Sequence, residues 1–582
     1  MGGEEALVGM LLGLLLRLLV LPLQLGWWLL TRWGLWQGLR GAGLLAVGGV
    51  TLHDLAAGGG SVVGLVAYLG GDRTALLTLL GLLCVTGALF LFAPTPAAPA
   101  THGSAGWARR ADLQGLVTGR RQPLPPGALA LAPHGPFRQL ALPPERATHH
   151  TLILGGSGTG KTRSLFMPNA ARAQGSFVAV DPKGELWAHT SGYHADAWRF
   201  APREPEASMC FNWVPWCRDP RLASLLAAAA MQTEADAHEQ QFWKLADLRC
   251  CAALFAHAAT TAVPTPATAY ALLERGPQGL VDELARSPSR TARMAATHLG
   301  GLKAETLAGI VLAVANKLEY LEDERLARFT SAETAPADFR PLLAQPVAAY
   351  WALHEADVGR LAGLSALFFT LLLDQLTQTA GTVPVTLLLD EFANVGRLPH
   401  FPTTIAVARG RGLALVLGVQ ALAQLDALYG REGADTIRAN CATKVVLHGL
   451  DYPSAEQVSR LLGEGTVQQE YTSRRPMGLL VESQSFSEHR SGRRLLTADE
   501  VRRLRADELL VVSGNRKPIK AGRWFWREAP RPATVGALGE VQVQSPALSS
   551  AGSQTVTAAR SGLRARLRAL DGEDGDAERL SE

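Results

Sequence analysis

Apolar positions run almost unbroken through residues 74–93, with no charged side chain among them. At ~1.5 Å of rise per residue, a helix of that length crosses a hydrocarbon core of ~30 Å. Pro94, Pro96 and Pro99 end it. The run is too long and too far from the start of the chain for a cleaved leader. A first span is expected upstream. Residues 6–30 are long enough but carry Arg17 and Gln24, and residues 41–70 are mostly apolar but carry His53 and Asp54. An ionisable group in hydrocarbon is expensive, so one of these two segments belongs in the interface or outside. Trp27, Trp28, Trp33 and Trp36 suit an interfacial belt. The reading is a two-span anchor with both termini on the cytoplasmic side, an orientation with which Arg109 and Arg110 agree.

Beyond residue 94 the pattern changes. A short β-prone run at residues 149–154, a near-continuous apolar run at 385–389 and an apolar run at 413–419 predict strands, the second fitting a strand buried on both faces, as in a parallel sheet. Residues 178–185 read as another core strand and its exit loop. Between these runs lie Ala- and Leu-rich stretches with helical spacing, clearest at residues 221–230, 239–259 and 292–321. The expected fold is α/β: a RecA-like P-loop core with an inserted all-α domain, behind a helical transmembrane anchor. The boundaries are 1–94 for the anchor, 95–211 and 336–529 for the two parts of the nucleotide-binding domain, 212–335 for the helical insertion and 530–582 for a disordered tail.

Charge and cysteines add little. A length of 582 residues implies several domains, and a net charge of +4 does not by itself point to nucleic acid. The six cysteines form no C-x-x-C pair and so suggest neither a zinc site nor a disulfide scaffold; they read as reduced thiols.

The chemistry lies at the strand ends. Residues 149–154 lead into Gly155-Gly156-Ser157-Gly158-Thr159-Gly160-Lys161-Thr162, the G-x-x-x-x-G-K-[ST] pattern between a strand and a helix. Glycines let backbone N–H groups curl around phosphate oxygens, and the following helix adds its positive end. Lys161 is expected on the β- and γ-phosphates of ATP and Thr162 on Mg²⁺. Pro168 should kink or shorten that helix. Asp390 closes the strand at 385–389, where it would organise Mg²⁺, and Glu391 would polarise the attacking water. Gln420 closes the strand at 413–419 as a neutral donor able to sense the γ-phosphate. Arg409 and Arg411 just precede that strand, and either suits a finger into a neighbouring subunit's site. Asp181 and Glu185 fit a positional role beside the nucleotide.

These motifs resemble the TraG/TraD family of type IV secretion coupling proteins over nearly the whole chain. The resemblance rests on residues 102–108 (HGSAGWA), on Pro168-Asn169 behind the P-loop and on residues 181–186 (DPKGEL). Its most specific part is 389–396 (LDEFANVG), with 408–412 (ARGRG) and 420–425 (QALAQL) behind it. It continues through Tyr429-Gly430, Asn440-Cys441, 461–463 and 495–497. The resemblance implies a hexameric ring on the bacterial inner membrane. Such a ring receives single-stranded DNA with its bound relaxase, or a protein, and passes it to type IV secretion channel proteins. It also implies contact with membrane lipids through the anchor, and substrate contact by the helices at 212–335.

The end of the chain is compositionally distinct. Residues 530–559 are rich in Pro, Ala, Ser, Gly and Thr, then a basic stretch at 560–568 precedes an acidic one at 571–576. Two other functions stay open at this point. One is a chromosome translocase of the FtsK type, against which the short irregular tail counts. The other is a receptor for secreted proteins that uses ATP only to change shape.

Overall fold

The computed structural model describes residues 103–232, 241–476 and 482–532. The anchor expected at 1–94 and the tail from residue 533 onward lie outside the described residues. Among the described residues no helix is long and apolar enough to cross a membrane.

Fourteen strands are described: β1 (Val117–Gly119), β2 (Leu129–His134), β3 (Arg138–Leu142), β4 (Thr151–Leu154), β5 (Ser176–Val180), β6 (Ala197–Phe200), β7 (Ala348–Trp351), β8 (Val385–Leu389), β9 (Ala414–Val419), β10 (Thr443–Val446), β11 (Glu464–Pro476), β12 (Glu482–Arg494), β13 (Glu508–Ser513) and β14 (Ile519–Gly522). Nine of them form one sheet in the order β14-β13-β10-β4-β9-β8-β5-β7-β6. From β10 to β6 every neighbouring pair is parallel. β13 and β14 close one edge by antiparallel pairing. A separate three-stranded sheet, β1-β3-β2, precedes it, and β11 and β12 pair as a long hairpin. The hairpin's polar sequence gives no strand-like alternation, so the reading of the sequence passed over it.

The central strands are largely apolar because they feed two cores. Leu152, Leu154, Val178, Val180, Leu415 and Leu417 point to one face, and Ile153, Phe177, Ala179, Ala414 and Val416 point to the other. On the second face pack β2, β3 and the helix Met167–Arg172. The first face is covered by the helix Ala362–Gln378 and by the helices between β6 and β7.

Those helices run from Pro220–Met231 to Glu324–Ser331. Asp219 caps the first, accepting from the Arg221 N–H, with Pro220 at its opening position. The stretch of helical spacing over 292–321 is divided between two helices. Arg290–Gly300 stops at Gly300 and Gly301, and Ala304–Leu318 restarts behind an extended Lys303. Paired glycines make continuing the first helix unfavourable. The helix Pro220–Met231 locks onto the helix Ala362–Gln378 through close backbone approach. A Cβ at Gly363 would lie 2.7 Å from the Ala230 carbonyl oxygen. Arg221 adds a fork of hydrogen bonds to Asp374 at 2.7 and 3.0 Å.

The strand expected over 149–154 begins at Thr151, because His150 adopts φ 57° in the turn before it. His150 is buried. Its Nε2 lies 2.8 Å from the Ile405 carbonyl and its Nδ1 accepts from the Leu415 N–H at 3.2 Å. That pair of partners requires the neutral ring, with the proton on Nε2. Burial pulls the pKa of His150 down from 6.5 to about 4. The unfolded chain therefore takes up a proton at a pH where the folded chain does not. The stabilisation is present above about pH 6.5 and is lost as pH falls toward 4, on the order of 3 kcal/mol across the window. We predict that the urea midpoint falls as pH is lowered through this window. His150→Asn, which tolerates the positive φ, should fall less steeply. An equal slope in both proteins would assign the acid sensitivity elsewhere.

Candidate nucleotide site

Three parallel strands end side by side. β4 carries the glycine loop, β8 carries the acid pair, and β9 lies between them and ends beside Gln420. This is the carboxyl end of an open parallel sheet, where ligands bind.

The loop at 155–162 is held by its glycines. Gly158 and Gly160 take φ of 70° and 80°. Gly156 needs its missing side chain for another reason: a Cβ there would overlap the Gly449 carbonyl oxygen. Thr159 closes the loop, its hydroxyl donating to the Gly156 carbonyl at 2.8 Å. Lys161 is buried and folds back over the loop, with Nζ donating to the carbonyls of Gly155 at 2.7 Å and Gly156 at 3.3 Å. Burial lowers its pKa, while the carboxylates of Glu391 and Asp390 work against that shift.

Thr162 donates its hydroxyl hydrogen bond to Asp390, joining the loop to the end of β8. Asp390 is buried, and burial raises its pKa to about 6 against the opposing pull of Thr162 and Lys161. A buried acid beside a hydroxyl, next to a phosphate-binding loop, fits an octahedral cation that takes its remaining ligands from phosphate and water. Among the described residues no cluster of three or more His, Cys, Asp or Glu forms a self-sufficient metal cage.

Glu391 takes φ 65°, a left-handed conformation rare for a residue with a side chain. Its carboxylate accepts from Gln420 Nε2 at 2.8 Å and from Gln424 Nε2 at 2.9 Å. The amide oxygen of Gln424 in turn accepts from the Gln420 backbone N–H at 2.7 Å. Gln420 thus reaches Glu391, and Gln424 holds both. In the sequence Gln424 stands as one residue of the 420–425 motif. Its spacing of four from Gln420 across a helix start was the available signal. Gly418 gives the room for this arrangement, since a Cβ there would lie 3.2 Å from the Glu391 backbone nitrogen.

Other expectations resolve differently. Pro168 sits in the first turn of Met167–Arg172, and Thr162–Phe166 winds before it as a π turn, with the Met167 N–H reaching the Thr162 carbonyl. The wider turn absorbs the proline, and the helix ends soon after at Arg172. Asp181 is buried at the end of β5 and accepts from the Trp187 N–H at 2.8 Å, so it braces the helix Glu185–Thr190. Glu185 pairs with Arg163 at 3.1 Å. Arg409 and Arg411 are exposed at the end of the helix Phe401–Gly410, just before β9 begins. They therefore lie at the amino end of the sheet, a strand length of about 20 Å from the loop. The structure does not bring them to their own chain's site, because β9 runs away from them toward Gln420.

One residue near the loop was not foreseen. Arg523, just after β14, donates from Nη1 to the Thr159 carbonyl. The Trp524-Phe525-Trp526 run beside it, aromatic within a polar stretch, was the overlooked signal.

Residues 114–549 match the family model described as type IV secretory system conjugative DNA transfer. A conjugal transfer protein TraG from Rhizobium radiobacter is 24% identical over 490 residues, covering 75% of this chain and 74% of that protein. Among solved structures, the plasmid coupling protein TrwB in complex with the ATP analogue ADPNP aligns with a TM-score of 0.56 at 18% identity, over 75% of this chain and 98% of that one. TrwB in complex with ADP and Mg²⁺ aligns with a TM-score of 0.52 at 20% identity, over 69% and 89%. At these identities the structures establish a shared α/β fold.

The loop's two kinds of glycine give a contrast that can be measured. Gly158→Ala meets nothing nearby and pays only for its positive φ, about 1 kcal/mol. Gly156→Ala drives a methyl into a backbone carbonyl that cannot rotate away, so it should lose about 3 kcal/mol by urea denaturation. Equal losses would contradict the steric account of Gly156.

Proposed function

The chain belongs to the type IV secretory system conjugative DNA transfer family, and from that premise we propose that it is an ATP-hydrolysing coupling motor. The observation that carries the reading is the junction at the strand ends. The P-loop hydroxyl of Thr162 meets Asp390, and Glu391 is aimed by two glutamine amides. The relative named for conjugal transfer, and the neighbours named as complexes with ADPNP and with ADP and Mg²⁺, support the same assignment.

In this reading the backbone of residues 155–162 cradles the phosphates of ATP. Lys161 exchanges the carbonyls of Gly155 and Gly156 for phosphate oxygens, which relieves a buried ammonium. Thr162 and Asp390 would hold Mg²⁺, which when bound offsets charge on the phosphates. Glu391 accepts a proton from the attacking water, and Gln420 and Gln424 fix its carboxylate while the left-handed backbone turns it out of line with β8. Gln420, sharing a partner with Glu391, couples the state of the γ-phosphate to the base.

The motor works as a homo-hexamer on the cytoplasmic face of the bacterial inner membrane, anchored through residues 1–94. It takes single-stranded DNA with a bound relaxase and delivers it to the secretion channel. The exposure of Arg409 and Arg411 at the far end of the sheet supports a role in a neighbouring subunit's site rather than their own.

Hydrolysis by the chain should rise on addition of single-stranded DNA and vanish in Lys161→Ala. Activity indifferent to DNA would favour a receptor for protein substrates instead. Glu391→Gln should lower kcat by about 10³-fold with ATP still bound, and Gln424→Leu by about tenfold, as expected for a base and for the group that aims it. In a separate series, specific activity should rise with protein concentration, and Arg409→Ala or Arg411→Ala should flatten that rise without loss of nucleotide binding. Activity strictly linear in protein, unchanged by either substitution, would remove the trans role.

A further inference from the structure

The segment after β14 passes along the rim of the phosphate loop. Arg523 donates to the Thr159 carbonyl, and its guanidinium would lie 3.7 Å from a Cβ built on Gly160. Further along, Trp526 lies 6.3 Å from His189, on the helix Glu185–Thr190 that Arg163 reaches through Glu185. The segment thus runs from Thr159 and Gly160 of the loop toward the helix Glu185–Thr190, whose Glu185 pairs with Arg163. A nucleotide with its phosphates in the loop leaves its nucleoside at that rim.

The segment is fixed, and it presents one aromatic ring outward. Trp524 is 1% exposed, with the Arg120 guanidinium 4.9 Å from its ring. The Arg523 N–H bonds the Asp507 carbonyl at 2.8 Å, and the N–H groups of Glu528 and Ala529 both bond the Phe525 carbonyl. Between these anchors Phe525 is 44% exposed. Arg523 lies 5.2 Å from its ring centroid, so the residue touching the loop also backs the ring. Its Nε is buried without a hydrogen-bond partner, which a ligand oxygen reaching it would supply.

We propose that Phe525, backed by Arg523 and held out by the buried Trp524, is the platform on which the base of the bound nucleoside triphosphate stacks. This rests on the reading of residues 155–162 as the site for the triphosphate. Every base offers a π face, so a stacking platform holds the nucleoside without reading its edges. ATP and GTP should therefore bind with affinities within a few-fold of each other. Arg523 links the two halves of the site: it steadies the Thr159 peptide and backs the ring.

Calorimetric titration of the full chain with ATP and with inorganic tripolyphosphate separates the halves. Phe525→Ala should weaken ATP about tenfold, leave tripolyphosphate within twofold, and be rescued by Phe525→Tyr. Unchanged ATP affinity would overturn the platform. Equal weakening of both ligands would also overturn it, by showing that Phe525 only supports the loop. Lys161→Ala should lose both ligands. If it keeps both, the triphosphate assignment itself fails and the base platform fails with it. If it loses both while Phe525→Ala changes neither, only the platform fails.

Discussion

The hydrogen bond from Thr162 to Asp390 joins positions 228 residues apart in sequence. One partner ends the glycine loop that follows β4, and the other ends β8. Neither strand pairs with the other, because β9 lies between them. The bond can form only if all three strands run parallel and end at the same level. It therefore constrains the register of the sheet, the curl of the loop and the place of Gln420 together.

Charge is concentrated at this junction against the usual preference of buried groups. Lys161 and Asp390 are both buried, and desolvation is the largest influence on each. A buried ammonium and carboxylate persist where other groups share their hydrogen bonds. Here the loop carbonyls hold Lys161 and the Thr162 hydroxyl holds Asp390. Glu391 adds backbone strain in the same place, of order 1–3 kcal/mol for a left-handed residue with a side chain. Its two amide partners and the packing of Phe392 against Phe401 and Tyr429 keep that conformation in place.

The rest of the chain holds the junction from both faces. On one side, Asn169 ties the helix after the loop to β2, exchanging hydrogen bonds with the Ala130 N–H and carbonyl at 2.7 and 2.8 Å. On the other, the helix Ala362–Gln378 lies under the sheet and against the helix Pro220–Met231, where Gly363 removes the last obstacle. A helical layer packed in one core with the strands has a direct mechanical route to their ends. Both segments following β8, at Glu391 and at Gly396, have positive φ, and Gly396 is pressed against the Ala362 carbonyl and the Gln232 side chain. The acid-bearing loop thus touches the helical layer directly.

What the sequence determined by itself was local. Short runs dominated by apolar residues marked β4, β5, β8 and β9, because strands buried on both faces favour apolar side chains. The glycine loop and the acid pair were legible because phosphate and metal chemistry demand those residue types at fixed spacing. Strand neighbours, by contrast, are chosen by packing across hundreds of residues. That β9 divides β4 from β8, that Gln424 shares Glu391 with Gln420, and that Arg523 returns to the loop from the far end of the chain were decided only in three dimensions. The hairpin of β11 and β12 was hidden for a related reason: pairing through backbone hydrogen bonds leaves no required side-chain pattern. The turn at His150 was equally invisible, because its partners Ile405 and Leu415 are supplied by a distant stretch of chain.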